Sequence, residues 1–345
     1  MDEVLEEIHK KMEDGVRREV FPGATYAILY KGQTFFNVVG NKSLYPNIEI
    51  NSLHTIYDLA SLTKVIVINF LIGKLLEKGI INLTDPIKKH FPTFRHTDIT
   101  IADVLTHSSG LPANVNWRHI KTKEEYLNLI LNVDQKIEKG KEAVYSDIGF
   151  IILGKLIETV TNTSLDILAN DYIFSKLEMF ETRYNPIDIE GCAPTEKEGD
   201  IYIRGVVHDK KARLFNGVAG HSGVFSPIYD VVKYAQMILN DGVYKNNQII
   251  SKDIIEMWYQ PIISDLKGRN RTLGWIEGAS ANLCPNISKK AIYHPGFTGT
   301  RMLIDKGNEI AIIVLSNQVH PNRNNEAFGD FWMEVANLIY KLLIV

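Results

Sequence analysis

The sequence predicts an α+β fold, an α/β sandwich in which helices flank an antiparallel sheet. β-rich runs occur near the start of the chain, at residues 25–40, and again after residue 270. Most residues between them show helical periodicity, and a long amphipathic pattern covers residues 326–344. These three observations indicate one sheet whose strands come from both ends of the chain, with a mostly helical segment inserted between them.

Each element can be justified in chain order. Residues 1–21 are charged and carry apolar residues at helical spacing, which is typical of an amphipathic surface helix. Lys31 and Gly32 divide two β-rich runs and predict a tight hairpin turn. Apolar periodicity then predicts helices at residues 65–78, within 99–112, and at 123–132, 148–161 and 230–239. Strand-like runs are expected at 272–278, 290–296, 300–305 and 309–316, and an irregular polar segment at 187–216. We therefore expect a single domain over residues 1–345, with an α/β subdomain from 1–64 and 222–345 and a helical subdomain from 65–221.

The composition argues against several classes of function. The chain has 345 residues, 45% of them hydrophobic, and a net charge of -3, so no nucleic-acid partner is expected. The two cysteines lack metal-ligand spacing and suit a reducing compartment. The most apolar stretch, residues 65–76, is interrupted by Asn69 and Lys74 and is too short to span a bilayer. A cytoplasmic protein with no membrane span is predicted.

A Ser-x-x-Lys pattern at Ser61 and Lys64 opens the apolar helix of residues 65–78. Residues three apart share a helix face, so the serine could be a nucleophile beside an activating cation. A second match at Ser264 lies in a polar segment without apolar periodicity, and we interpret it as accidental. The alternative for the first match is a serine helix cap followed by a solvated lysine.

Two further motifs follow in order. Tyr145 and Asp147 stand in a YSD motif before a buried helix, and His294 and Gly296 stand in an HPG motif on a late strand. The ordered set resembles the serine β-lactamase and penicillin-binding-protein superfamily, especially its class C-like members, whose marks are Ser-x-x-Lys, Tyr-x-Asn and Lys/His-x-Gly. Similar context at residues 21–24, 81–87, 105–112 and 217–226 extends the resemblance over about residues 1–340. Residues 207–212 and 217–223 look most like the branch that includes D-alanyl-D-alanine carboxypeptidases.

The resemblance implies a β-lactamase/DD-peptidase-like fold and an acyl-enzyme mechanism. Ser61 would attack a carbonyl, and Tyr145 would accept its proton with Lys64 close by. Forming a phenolate from an ordinary tyrosine at pH 7 costs roughly 4 kcal/mol. A lysine about 3.5 Å away at an effective dielectric near 20 offers roughly 5 kcal/mol, which is comparable. The backbone N–H groups of Ser61 and Phe297 would form the oxyanion hole, and Gly296 would leave room for substrate. Tyr145 as a core tyrosine and Gly296 as a strand-end turn residue are the alternatives.

Two residues depart from the family pattern. Asp147 replaces the common asparagine, and an ionised carboxylate only accepts hydrogen bonds. We hypothesise that Asp147 binds Lys64 or a substrate ammonium group. His294 replaces the lysine of many penicillin-binding proteins and is mostly neutral at pH 7, which lowers the expectation of efficient penicillin hydrolysis. Structural hydrogen bonding is expected of three other histidines, His107, His208 and His221.

The sequence therefore predicts a serine hydrolase acting on an amide, ester or β-lactam carbonyl. A D,D-carboxypeptidase-like or β-lactamase-related enzyme is favoured, with a carboxylesterase or acyltransferase, or a weakly catalytic penicillin-binding sensor, as alternatives. The expected partner is a small molecule or short peptide, and the oligomeric state stays open. No metal-ligand or nucleotide-binding motif occurs, so no metal or organic cofactor is expected.

Overall fold

The fold is described from a computed structural model, which describes residues 1–344. The α-helices are α1 Asp2–Arg17, α2 Asn69–Glu77, α3 Ile101–Leu105, α4 Lys123–Leu131, α5 Asp147–Thr161, α6 Leu165–Ala169, α7 Lys210–Leu214, α8 Ile228–Leu239, α9 Lys252–Trp258 and α10 Phe328–Leu343. Two five-residue π-helical segments, at Lys64–Ile68 and Asn170–Phe174, and two short 3-10 turns, at Ile87–Lys89 and Ala279–Ala281, accompany them.

The strands are β1 Gly23–Tyr30, β2 Gln33–Ser43, β3 Glu49–Ile50, β4 Tyr57–Asp58, β5 Arg183–Tyr184, β6 Lys197–Glu198, β7 Ile201–Tyr202, β8 Val224–Ser226, β9 Val243–Tyr244, β10 Asn247–Gln248, β11 Ile263–Ser264, β12 Asn270–Arg271, β13 Ile276–Glu277, β14 Ala291–Gly296, β15 Thr300–Asp305 and β16 Ile310–Ser316. Nine of them form one antiparallel sheet in the order β11-β12-β13-β14-β15-β16-β1-β2-β3. The last strand in sequence, β16, pairs with β1, so the sheet joins both ends of the chain as the sequence predicts.

The predicted hairpin is confirmed. Tyr30 pairs with Gln33, and Lys31 and Gly32 between them have φ values of 46° and 79°. Two consecutive positive φ values are what a two-residue turn needs to match the twist of the paired strands, and glycine adopts this conformation without strain.

Helices cover both faces of the sheet. On one face α1 and α10 pack around a core that includes Trp332, whose ring stacks on Tyr293 at 6.0 Å. On the other face α8 contacts β1 and β16, and a larger core continues into the inserted helices, where α5 carries nine buried residues. The fold class is therefore the mixed helix and antiparallel-sheet class that the sequence predicts.

Two local expectations differ from the structure. Only Ile276–Glu277 of the run at 272–278 is a strand, because Thr272 and Trp275 close a turn through Gly274, whose φ is 79°. The segment at 187–216 contains the hairpin β6-β7 and helix α7. No single helix within residues 1–344 has both the length and the apolar composition to cross a membrane. Taken together, α5 and the helical segment Leu165–Phe174, which joins α6 to the π-helical turn after it, have that length and composition, with a bend of 83° between them.

Candidate active site

Ser61 follows a strained bend at the start of the apolar helix. Ala60 has a φ of 47°, which is unusual for a residue with a side chain, and its N–H donates to Oδ1 of the buried Asp58 at 2.8 Å. Helical residues begin at Leu62, so Ser61 stands immediately before the helix. Its side chain faces a cavity of about 630 Å³, where a small substrate could reach it.

Lys64 is fully buried directly behind Ser61. Its ammonium group donates to Ser61 Oγ at 2.9 Å, to Asp147 Oδ1 at 2.9 Å and to the carbonyl oxygen of His221 at 3.1 Å. These bonds use all the donors of an ammonium group. Burial acts to lower the pKa of Lys64, but the charge of Asp147 and the nearby Tyr145 outweigh burial and raise it. Lys64 is therefore a cation at neutral pH rather than a solvated helix residue.

Tyr145 lies close to the same cation and lines the cavity. The Lys64 ammonium nitrogen is 4.8 Å from the centroid of its ring. The ring of His107 packs against it at 4.6 Å, and His107 Nδ1 accepts the backbone N–H of Ser146 at 3.0 Å. His107 thus fixes the loop that carries Tyr145, which is a structural hydrogen-bonding contact of the kind the sequence predicts for it.

Asp147, the first residue of α5, has a lysine on each carboxylate oxygen. Oδ1 accepts from Lys64, and Oδ2 accepts from Lys211 at 2.6 Å. Burial acts to raise the pKa of Asp147, but Lys64, His221 and Lys211 hold it well below the usual range for an aspartate. Of the two partners that the sequence leaves open for Asp147, the structure brings Lys64 into contact. Binding of a substrate ammonium group by the remaining lone pairs of the carboxylate stays a prediction.

The network continues away from the nucleophile through Asp209 and His221. His221 Nε2 hydrogen bonds Asp209 Oδ1 at 2.8 Å, and Asp147, Asp209 and His221 place ligand atoms within 4.8 Å of one another. Such a group could in principle hold a metal ion. The ammonium groups of Lys64 and Lys211 on Asp147 would repel a divalent cation there, so the donor set does not favour one.

The HPG motif lies at the end of β14, but its members have different surroundings. His294 is completely buried, its Nε2 has no partner, and burial together with Lys64 holds its pKa well below 6.5. The imidazole is therefore neutral and is not part of the cavity wall. A Cβ on Gly296 would meet Thr300 Oγ1 at 1.9 Å and the Leu59 carbonyl oxygen at 2.7 Å. The glycine is therefore required by the packing of the strand against the serine segment, and its predicted role in leaving room for substrate stays a prediction.

Phe297, which follows the motif, lines the cavity and is 53% exposed. Two threonine hydroxyls, one in the turn and one at the start of β15, fix its backbone to the serine segment: Thr298 donates to the Asp58 carbonyl at 2.7 Å and Thr300 to the Leu59 carbonyl at 3.0 Å. Within residues 1–344, the hydrogen-bond network gives no acceptor to the N–H of Ser61 or of Phe297. Two free N–H groups on connected segments beside the serine are what an oxyanion hole needs.

The sequence did not single out several charged residues of the site. Lys211 and Asp209 lie in a stretch that the family resemblance covers, but nothing in their spacing ties them to Asp147. Glu196 accepts from Arg323 Nε at 2.7 Å and contacts His208 Nε2 at 2.6 Å, and the pKa of this carboxyl is lowered to about 2, against the effect of burial, by these two partners. The contact of Glu196 with Arg323 joins residues 127 positions apart, and its contact with His208 joins residues 12 positions apart, so neither follows from a helix or strand period.

The second Ser-x-x-Lys match is accidental, as expected. Ser264 is exposed on β11, and its Oγ donates to Asn270 Oδ1 at 2.6 Å, whereas Ser61 Oγ accepts from Lys64.

Comparisons with known proteins identify the family of the chain. A family model described as beta-lactamase matches residues 8–336, and the chain therefore belongs to the β-lactamase family. It is 26% identical to an N-acetylmuramyl-L-alanine amidase of Bacillus subtilis, covering 93% of this chain and 85% of that protein. It is 29% identical to a putative D-alanyl-D-alanine carboxypeptidase of Escherichia coli, covering 82% and 74% of the two chains.

Solved structures share the fold at lower sequence identity. EstCE1, a hydrolase with promiscuous acyltransferase activity, has a TM-score of 0.81 at 16% identity and covers 98% of each chain. A class C β-lactamase has a TM-score of 0.81 at 18% identity, covering 99% of this chain and 97% of the other. The predicted family, fold and enzyme class are therefore confirmed: the chain is a serine hydrolase of the β-lactamase fold.

Proposed function

We propose that the protein hydrolyses acyl compounds through an acyl-enzyme on Ser61, and that its substrates are short peptides ending in D-amino acids. One observation carries the mechanism: the ammonium group of Lys64 bonds Ser61 Oγ at 2.9 Å and lies 4.8 Å from the ring of Tyr145. A permanently charged lysine at that point can stabilise a phenolate and orient the serine, but it cannot itself accept a proton. Tyr145 is then the general base.

In the proposed reaction Tyr145 takes the proton of Ser61 Oγ as the oxygen attacks the substrate carbonyl. The N–H groups of Ser61 and Phe297 stabilise the oxyanion, and Tyr145 returns the proton to the leaving group. Water then attacks the ester with the same base, which releases the acid and regenerates Ser61. Asp147 keeps Lys64 charged throughout.

The similarity to a putative D-alanyl-D-alanine carboxypeptidase supports a peptide substrate. A specific observation favours a second candidate, a carboxylesterase or acyltransferase. The basic residues that line the cavity all have acidic partners: Lys211 binds Asp147, Arg323 binds Glu196, and Lys210 lies 3.3 Å from Glu198. With His294 neutral and buried, a substrate carboxylate meets no uncommitted cation on this wall, which suits an uncharged ester. The predicted cytoplasmic location stays a prediction.

The decisive experiment measures the mass of the intact protein after brief incubation with benzylpenicillin, an activated acetyl ester, or a peptide ending in D-alanyl-D-alanine. Release of D-alanine with a Ser61 adduct supports the peptidase. Steady ester turnover through a transient acetyl adduct, without D-alanine release, supports the esterase or acyltransferase. A stable penicilloyl adduct without turnover of either substrate indicates a sensor. If Ser61→Ala is labelled as well as the native protein, the assignment of Ser61 is wrong.

A further inference from the structure

Arg271 is a buried cation beside Tyr145 that the mechanism above does not use. It lies on β12 and is 3% exposed, and its guanidinium carbon is 5.8 Å from the centroid of the Tyr145 ring. It is not part of the cavity wall, so it does not meet the substrate directly.

The positive charge of Arg271 is only weakly compensated by protein groups. Within residues 1–344 its carboxylate partner is Asp265, at 3.4 Å, and its Nε has no hydrogen-bond partner. Asp265 is bound more closely by Arg269, at 2.8 Å. Keeping a cation buried with so loose a partner is costly, and an apolar side chain of similar size would pack there at less cost. A structural role alone therefore does not account for this arginine.

We propose that Arg271 is a positioning residue that acts through Tyr145, stabilising the negative charge of the phenolate that accepts the proton of Ser61 Oγ. This inference rests on the proposed function, in which the proton passes from Ser61 Oγ to Tyr145 while the Oγ–carbon bond forms and the carbonyl electron pair moves to the oxyanion. Lys64 supports the same charge from the helix side, and Arg271 supports it from the sheet.

The other charged or titratable groups around Tyr145 do not supply this charge. His107 and His294 are neutral because burial holds the pKa of each well below 6.5. Asp147 is negative, and its effect on Tyr145 is offset by Lys211, which binds its second oxygen. Arg271 is therefore a second cation beside the ring, 5.8 Å from its centroid, and its side-chain hydrogen bond goes to Asp265 rather than to the residues that bind Lys64.

The test is the pH dependence of Ser61 acylation by an activated acetyl ester, followed by rapid quenching and intact mass. A cation about 6 Å away at an effective dielectric near 20 changes the pH at which a phenol ionises by about two units, and Asp265 offsets part of this. We expect Arg271→Gln to move the rising limb of the profile to higher pH by about one unit and to slow acylation at pH 7 about tenfold. Arg271→Lys should recover most of the displacement because it keeps the charge. Arg95→Gln, which removes an exposed arginine paired with Asp134, is the control and should leave the limb in place.

A profile for Arg271→Gln that is lowered at every pH, or unchanged, without a displaced limb overturns the inference. If Arg271→Gln fails to fold, Asp265→Asn decides: freeing the charge of Arg271 should move the limb to lower pH, and no movement refutes the proposal. Tyr145→Phe separates this inference from the proposed function. Acylation at the native rate in Tyr145→Phe would remove Tyr145 as the base, whereas loss of acylation there with an unmoved limb in Arg271→Gln would refute the role of Arg271 alone.

Discussion

Replacing Asp147 by asparagine tests whether one carboxylate holds two buried lysines. The substitution keeps the size of the side chain and removes its charge, while Lys64 stays fully buried and Lys211 nearly so. The asparagine oxygen can accept from one lysine, so at least one of the hydrogen bonds, at 2.9 Å and 2.6 Å, is lost. Within residues 1–344, Lys64 then has no carboxylate partner, and Lys211 keeps only Asp209, at 3.7 Å.

The expected cost follows from these contacts. A hydrogen bond to a charged group contributes about 1.5–3 kcal/mol, and breaking a buried ion pair by removing one partner costs about 3–5 kcal/mol. Because the Asp147 side chain is 22% exposed, solvent weakens the effect, and we expect a loss of about 3 kcal/mol in the free energy of unfolding. Lys211→Met alone should cost less, since Lys64 still pairs with the carboxylate, and the double variant should cost about 1–2 kcal/mol less than the sum.

The pH dependence of this cost has a definite sign. The folded-state pKa of Asp147 lies well below its usual value, so its stabilisation is fully present above the unfolded value near 3.9. It is lost only as the pH falls below that value toward the folded one. The difference between the native protein and Asp147→Asn should therefore be constant from pH 8 to pH 5 and shrink below about pH 4.

Urea unfolding monitored by circular dichroism at several pH values makes this measurement. The control is Asp134→Asn, which removes the carboxylate of an exposed pair with Arg95 and should cost less than about 1 kcal/mol. If Asp147→Asn costs no more than this control at pH 7, the carboxylate does not hold the two lysines, and the account of a permanently charged Lys64 is wrong.

Three further outcomes are expected. Gly296→Ala should lower the free energy of unfolding by more than about 2 kcal/mol in urea titrations, because its Cβ would approach Thr300 Oγ1 to 1.9 Å. Gly329→Ala on α10, where a Cβ meets nothing within 4 Å, should be neutral or slightly stabilising. Stability of the native protein should fall below pH 6.5, because the unfolded chain binds a proton at His294 that the folded one does not. Thermal melts of His294→Asn should show a slope smaller by about 1.4 kcal/mol per pH unit there. Phe297→Ala should raise KM for aromatic acyl esters several-fold in steady-state assays and change acetyl ester turnover less, because it removes a cavity wall and keeps the backbone N–H. An equal effect on both esters would contradict that role.

Much of the fold could be predicted because its evidence is local. The hairpin turn at Lys31 and Gly32 and the apolar periodicity of α5 each lie within a short stretch, and turn chemistry and helical periodicity act over that range. The strand predicted over the whole of 272–278 was wrong. Its apolar residues suit a strand, but Gly274 takes a turn conformation that composition does not reveal.

The candidate site could be predicted only in part. Ser61, Lys64 and Tyr145 stand in recognisable motifs, and the structure brings all three together. The sequence could not identify Lys211 and Arg271 as parts of the site. A basic residue in a polar segment carries no sign that it will be buried against a partner far away in sequence. Their positions depend on how the helical insertion and the sheet meet, which is a tertiary property.

The threonine bonds from Thr298 and Thr300 to the serine segment have a consequence for biosynthesis. Ser61 is translated well before the strands that hold its segment in place, since Asp58 and its partner Thr298 are 240 residues apart. A nascent chain that includes Ser61 but not β14 to β16 lacks the segment that fixes the proposed oxyanion hole and the strands that complete the sheet beside β1. We therefore expect chains stalled before β14 to remain unlabelled by the reagents that acylate Ser61 in the native protein.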